Sequence, residues 1–272
     1  NKERRSTVRM DIKIIVATHK KYWMPSDDIY LPVHVGKKGK TDLGYQGDDT
    51  GDNISAKNSS FCELTGLYWA WKNVDADYIG LVHYRRHFVC KKNKDIWKCV
   101  LTYQDIEPYL KSKDIFVPKK RRYYIESLYS HYAHTHYAEH LDKTREVIRR
   151  KCPEYLNCFD RVMKQTSGYM FNMFIVRKDL LDSYCTWLFD VLFELENKVD
   201  LTGLSEFQKR CFGRISELLF NVWLEYQLER NVVQVEQIKK FRWGYMEPIR
   251  SRKKIQAFLF AKFCGKRYRC SF

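Results

Sequence analysis

The sequence predicts an α/β protein, on three observations. Short apolar runs of strand length alternate with longer segments in which apolar residues recur every three or four positions. Two of those runs, ending near Thr18 and Val82, give way abruptly to polar and cationic clusters, which is where an open α/β sheet gathers ligands. The chain is also large and apolar enough for a sizeable core, with 272 residues, 44% hydrophobic and 15% aromatic, in one large or two small domains.

The elements follow in order. Residues 1–9 are polar and basic and read as a tail or expression remnant; residues 10–238 read as the folded domain. Asp11 to Ala17 reads as a first strand, ending in Thr18-His19-Lys20, and Tyr30 to Val35 as a second. Gly36 to Asn53, rich in Gly, Asp and Lys, reads as a mobile loop. Ser55 to Asn73 reads as one helix, because Phe61, Leu64, Leu67, Tyr68 and Trp71 share a helical period. It delivers the chain into a strand at Tyr78 to Val82, where Gly80 permits close backbone approach. A helix near Thr102 to Lys111 and a short strand, Asp114 to Pro118, come next. Asp142 to Arg150 reads as a charged helix closed by Pro153, and Gly168 to Val176 as an apolar strand carrying Asn172. Helices at Asp179 to Lys198 and Arg214 to Leu224 complete the domain, the latter with Glu217 and Asn221 four apart on one face.

The turn His83-Tyr84-Arg85-Arg86 carries the strongest chemical signal. A guanidinium is a rigid fork of donors that stays charged and matches a phosphate bidentately, so this strand end suits an anionic ligand. A solvated surface turn is the plain alternative. Four histidines, His131, His134, His136 and His140, lie within ten residues, but without a metal-ligand spacing such as HExxH, which favours acceptor contacts or plain surface over a metal site. Asn172 in an apolar run needs hydrogen-bond partners, either backbone or a substrate hydroxyl. Glu217 among apolar neighbours is a candidate base, or a partner of Arg214. Trp69 and Trp71 can stack on a sugar or base, or pack the core.

A net charge of +16 and a pI near 9.3 require an acidic partner without naming it: nucleic acid, anionic lipid or phosphorylated metabolite. From residue 239 onward there are eleven Lys and Arg against the single acid Glu247, interleaved with Phe258, Leu259, Phe260 and Phe263. Such a segment, 239–272, suits a membrane interface with anionic lipids, or a docked helix with solvated lysines. Nine cysteines without a CxxC pair suggest free thiols. With no signal-peptide pattern and no apolar run near the ~18 residues a span requires, the expected location is cytoplasmic.

Several motifs in register carry a resemblance: Asn53-Ile-Ser55, Lys57-Asn58, Glu63-Leu-Thr65, Leu67 to Asn73, His83 to Arg86, Phe171 to Phe174 and Ser216 to Leu224. Together, from about Ile12 to Gln227, they resemble a family of bacterial capsular and exopolysaccharide glycosyltransferases long catalogued as a domain of unknown function. The resemblance implies a GT-A-like single domain, a mixed central sheet flanked by helices, that moves a hexose from a UDP-sugar, galactose or galactofuranose favoured, to a lipid-linked or growing glycan. In GT-A enzymes an Asp-x-Asp holds a divalent metal on the diphosphate. Here His83-Tyr84-Arg85 stands in that position, so no metal cofactor is expected and Arg85 and Arg86 are expected to take its role. Asp48, Asp49 and Asp52 are the carboxylates that a metal-dependent site would use. Thr18, His19, Lys57 and Asn58 are expected near the donor, and His134 and His136 near the acceptor. Glu217, then Glu63, then His134 or His136 are the candidate bases, with Asn172 at the reaction centre. The enzyme is expected at the inner face of the plasma membrane, held there through residues 239–272. A basic nucleic-acid-binding protein is the rival reading, although no recognition helix, zinc finger or RRM signature is present.

Overall fold

The structure, a computed structural model, describes residues 9–247. Its strands are β1 Ile12–Thr18, β2 Tyr30–His34, β3 Gln46–Gly47, β4 Tyr78–His83, β5 Arg86–Val89, β6 Ile115–Pro118, β7 Arg121–Arg122, β8 Ser167–Gly168, β9 Phe174–Arg177 and β10 Ile238–Tyr245. Its helices are α1 Asn58–Phe61, α2 Leu64–Asn73, α3 Tyr103–Ile106, α4 Leu128–Thr135, α5 Ala138–Lys151, α6 Leu156–Lys164, α7 Lys178–Glu196, α8 Glu206–Lys209 and α9 Cys211–Glu229.

The main sheet runs β3-β2-β1-β4-β5-β10-β6-β9, and β4 pairs in addition with β9. The β3/β2, β2/β1, β1/β4 and β10/β6 pairs are parallel, and those involving β5 or β9 are antiparallel, so the sheet is mixed as expected. The fork is at β4: its first residues pair with β9, whereas its last, His83, pairs with Arg86 across a two-residue turn. Gly80 makes this possible, since a Cβ there would stand 2.8 Å from Ile175 Cγ1 and 2.9 Å from the Phe174 carbonyl oxygen. Ile14, Ile15, Val33, Ile79, Phe116, Ile175 and Leu181 are wholly buried between sheet and helices. Burial of each such side chain contributes about 1.5–3 kcal/mol. α9 is apolar on nearly every face and lies buried, as a helix inside a core must.

Five expectations are corrected. The helix over Ser55 to Asn73 is broken at Cys62, which takes φ 54°. Asn58 Nδ2 donates to the freed Cys62 carbonyl at 2.7 Å, and Gly213 on α9 leaves room against the break, where a Cβ would meet Cys62 Cβ at 3.0 Å. Gly36 to Asn53 is a fastened loop: buried Asp48 accepts from the backbone of Gly36 and Lys37 and from Ser55 Oγ. The helix near Thr102 to Lys111 is only α3 and a following 3-10 turn, with Pro108 at the junction. Gly168 to Val176 is two strands about a sharp corner, in which Phe171 and Asn172 take φ 77° and 51°. The boundary at 238/239 cuts β10, which fills the gap between β5 and β6 and pairs with both. The sequence reading also missed α6, a strongly amphipathic helix on α9.

The seven described cysteines are free thiols, and no described helix is long and apolar enough to cross a membrane. The apolar run Ile255 to Phe263 lies outside the described residues.

Candidate active site

Where β1 and β4 end, parallel and adjacent, the chain turns sharply twice. Thr18 is buried and closes the first turn, its hydroxyl donating to the Lys20 carbonyl at 2.6 Å. The next residue, His19, is thereby turned out of the strand. Tyr84 donates its backbone N–H to the Ala17 carbonyl at 3.1 Å, which holds the second turn beside the first. His83 Nδ1 accepts from the Arg85 backbone N–H at 3.3 Å, so the imidazole is tied to the turn it precedes.

The two imidazoles report the local potential. Burial, then Arg86 and Arg85, push His83 well below the usual imidazole range; burial, then Arg85 and Arg210, lower His19. Burial first, and the crowding cations second, favour the neutral form of both imidazoles. Arg85 has no carboxylate partner among the described residues, and Arg210 points its Nε at Cys62 Sγ, 3.2 Å away. This leaves concentrated positive charge at a strand end, in half-buried surroundings where it is weakly screened.

Beside this cluster stands the corner of residues 169–172, fastened by α9. Asn221 donates to the Tyr169 carbonyl and accepts from its N–H, both at 2.8 Å. Glu217 Oε2 accepts from the Phe171 N–H at 2.9 Å and Oε1 from Arg214 Nη1 at 3.1 Å, at only 5% exposure. Burial opposes the Arg214 charge, but Glu217 and Glu63 outweigh it and raise its pKa. The Phe171 ring carries Arg86 at 4.5 Å, and burial lowers the pKa of that guanidinium. Glu217 therefore has both oxygens engaged in building the corner.

Glu63 is differently placed. The break at Cys62 sets it half-buried facing the same corner, where Oε1 accepts from Asn172 Nδ2 at 2.9 Å. Asn172 is held in turn by the Gly213 carbonyl at 3.0 Å and by Ser216 Oγ, which donates to Oδ1 at 2.9 Å. Glu63 Oε2 has no hydrogen-bond partner among the described residues. A carboxylate aimed by a fixed amide, partly open and next to arginines, is equipped to accept a proton.

The structure thus brings together His19, His83, Arg85, Arg86, Glu63, Asn172 and Glu217. Other expected site residues are occupied elsewhere. Lys57 Nζ pairs with both oxygens of Glu196 at 2.8 and 2.7 Å, and Asn58 supports the Cys62 break. His134, on α4, donates to Glu126 just before that helix, and His136 is buried against Phe207 with Nδ1 2.9 Å from Gln208 Oε1. Burial, then Arg214, pushes His136 down to about 3. Trp69 donates to Thr50 and Trp71 to Asp182, Trp71 stacking on Phe189, so both pack the core. Asp52 accepts from Tyr68, and no group of three or more His, Cys, Asp or Glu suited to a metal ion occurs among the described residues.

Sequence reasoning missed Arg210 and Arg121. Arg210 and Arg214, one turn apart, were a legible signal, since this spacing puts two guanidinium groups on one helix face. Arg121 lies over Phe171 at 5.8 Å, but no local pattern places β7 against that corner.

Residues 13–228 match a family described as a domain of unknown function, DUF4422. A solved structure, described as the apo form of the WbbM bifunctional glycosyltransferase, is similar at 29% identity and a TM-score of 0.78. The similarity covers 88% of this chain and 46% of that one, so the chain spans about half the length of this relative. A search of curated proteins returned no match. The matched residues take in both strand ends, the Cys62 break and the α9 latch; on this match, the chain belongs to the DUF4422 family.

Proposed function

We propose that the chain is a glycosyltransferase that moves a sugar from a nucleotide diphosphate donor to an acceptor hydroxyl. The observation that carries this reading is the cation cluster at the adjoining ends of β1 and β4, with Glu63 one corner away. The similarity to a bifunctional glycosyltransferase supports the reaction class.

In this reading the diphosphate lies against Arg85 and Arg210, with His83 and His19 as neutral donors, and charge developing on the leaving group is met by preorganised guanidinium. Donor chemistry supports an anion here: the set is arginine and imidazole, with Asp48 consumed by its own loop. In an inverting displacement Glu63 accepts the acceptor proton, oriented by Asn172. The acceptor oxygen then attacks the anomeric carbon as the nucleoside diphosphate departs. Glu217 becomes the residue that shapes the corner, and Glu63 replaces it as the base.

The family resemblance favours UDP-galactose or UDP-galactofuranose as donor and a lipid-linked or growing glycan at the cytoplasmic leaflet as acceptor. Thermal unfolding with UDP, in EDTA and with manganese, tests the donor site. UDP at a hundredfold excess over Kd is expected to stabilise the fold by about 2.7 kcal/mol in EDTA, and Arg85→Ala to abolish the effect. A response only with manganese would move the diphosphate onto a metal. No response to any nucleotide, with salt-sensitive binding of single strands or duplex, would select the nucleic-acid reading.

A further inference from the structure

The loop that follows β6 exposes apolar surface that nothing inside the molecule explains. Tyr124 and Ile125 are 81% and 71% exposed, the highest values among the large hydrophobic side chains described. Tyr124 holds φ 57°, a left-handed conformation that costs energy for a bulky residue. A loop free to relax would bury these side chains or shed the strain. This one is held on both sides. The Tyr123 N–H donates to the Thr166 carbonyl and the Leu128 N–H to the Gln165 carbonyl, each at 2.8 Å, and β7 pairs with β8. Just behind the tip, Glu126 is 3% exposed and accepts from His134 Nδ1 at 2.6 Å and His131 Nδ1 at 2.9 Å. The clasp on α4 pulls Glu126 inward and leaves Tyr124 and Ile125 outward.

Charge indicates the occupant. Lys119, Lys120, Arg121 and Arg122 lie just before the tip; Glu126 is buried and already matched, and Glu225 acts on Lys120, which lies over the Tyr169 ring at 5.1 Å. Lys119 and Arg122 are exposed, without a carboxylate partner among the described residues. Two projecting apolar side chains, one a tyrosine, preceded in the chain by exposed Lys119 and Arg122, are complementary to a surface that is apolar inside and anionic at its rim. We propose that residues 119–125 dock on an anionic lipid bilayer, Tyr124 and Ile125 entering the headgroup boundary and Lys119 and Arg122 meeting the phosphates. Arg121, over both Tyr123 at 4.9 Å and Phe171 at 5.8 Å, links this tip to the corner of the candidate active site. Docking therefore faces that corner toward the membrane. The inference stands on the loop itself and does not depend on which donor the site takes.

The full chain should be sedimented with vesicles of phosphatidylcholine alone and of phosphatidylcholine with phosphatidylglycerol. Binding is expected to the anionic vesicles and to be weak on neutral ones. The double variant Tyr124→Ser, Ile125→Ser should lower the partition coefficient roughly tenfold. Arg122→Glu, which reverses one charge, should lower it about twentyfold. Both should leave the midpoint of thermal unfolding and its response to UDP unchanged, which separates loss of docking from loss of fold or donor site. Wild-type failure to sediment with anionic vesicles, equal binding to neutral ones, or wild-type partitioning by both variants would each overturn the proposal. The last of these would leave the exposed tip to a protein or glycan partner.

Discussion

The α9 latch and the strand-end cation cluster lie side by side and treat charge in opposite ways. In the latch every polar group is answered: Glu217 by the Phe171 N–H and Arg214, Asn221 by both backbone groups of Tyr169. In the cluster Arg85 and Arg210 have no carboxylate partner among the described residues, and burial together with these cations lowers the pKa of His83 and His19. Saturated polar networks specify geometry, whereas charge left unmatched is available to a ligand. By this contrast both oxygens of Glu217 are spent on the corner, whereas Glu63 keeps one open, which is why the proposed mechanism gives Glu63 the proton, although both are carboxylates beside the same arginines.

The sharpest way to break the contrast is to neutralise each acid in turn. Glu63→Gln is expected to lower sugar transfer by about 10²–10⁴ while changing stability by less than about 1 kcal/mol. Glu217→Gln should keep transfer within about tenfold of wild type. Steady-state rates for the two purified variants decide it, and the reverse ranking would restore Glu217 as the base. Truncation should hurt the latch most: Glu217→Ala leaves Arg214 and the Phe171 N–H unanswered. It is expected to cost about 3–5 kcal/mol in urea unfolding.

A smaller effect comes from His136, which is buried with a pKa near 3 against an ordinary value of 6.5. The unfolded chain takes up this proton first, so stability is full above about pH 6.5 and falls as pH drops toward 3, by about 1.4 kcal/mol per unit for this group. His136→Phe, which keeps an aromatic ring against Phe207, should flatten that slope between pH 6 and pH 4, roughly two units, by one proton's worth. The smallest expected effect is at the exposed pair Arg145 and Asp160, where Arg145→Ala should shift unfolding by no more than about 0.5 kcal/mol.

Much of the frame was legible because it is local. β1, β2, β4 and β6 are short apolar runs with clear stops, and α7 keeps its helical period for nineteen residues. The arginine turn was legible for the same reason, since a strand end is marked in the sequence by the switch from Val82 to His83. The corner at Asn172 was not. Its run is apolar from Tyr169 to Val176 but for one amide, and only the capture of its backbone by Glu217 and Asn221, some 46 and 52 residues away, bends it. The position of β10 was equally hidden, because its lysines and arginines read as the start of a basic membrane-facing segment or docked helix until two partner strands supply its hydrogen bonds.

The sequence by itself determined the alternation of strands and helices, the surplus of positive charge and the cationic turn after β4, all set by neighbours within one or two turns of chain. Tertiary structure decided which carboxylate is spent and which is open, that Lys57 pairs with Glu196 and Asn58 with the Cys62 carbonyl, and that Tyr124 and Ile125 face outward. The physical reason is the same in each case. Hydrogen-bond satisfaction and burial belong to groups brought together from distant parts of the chain, and no local spacing records them.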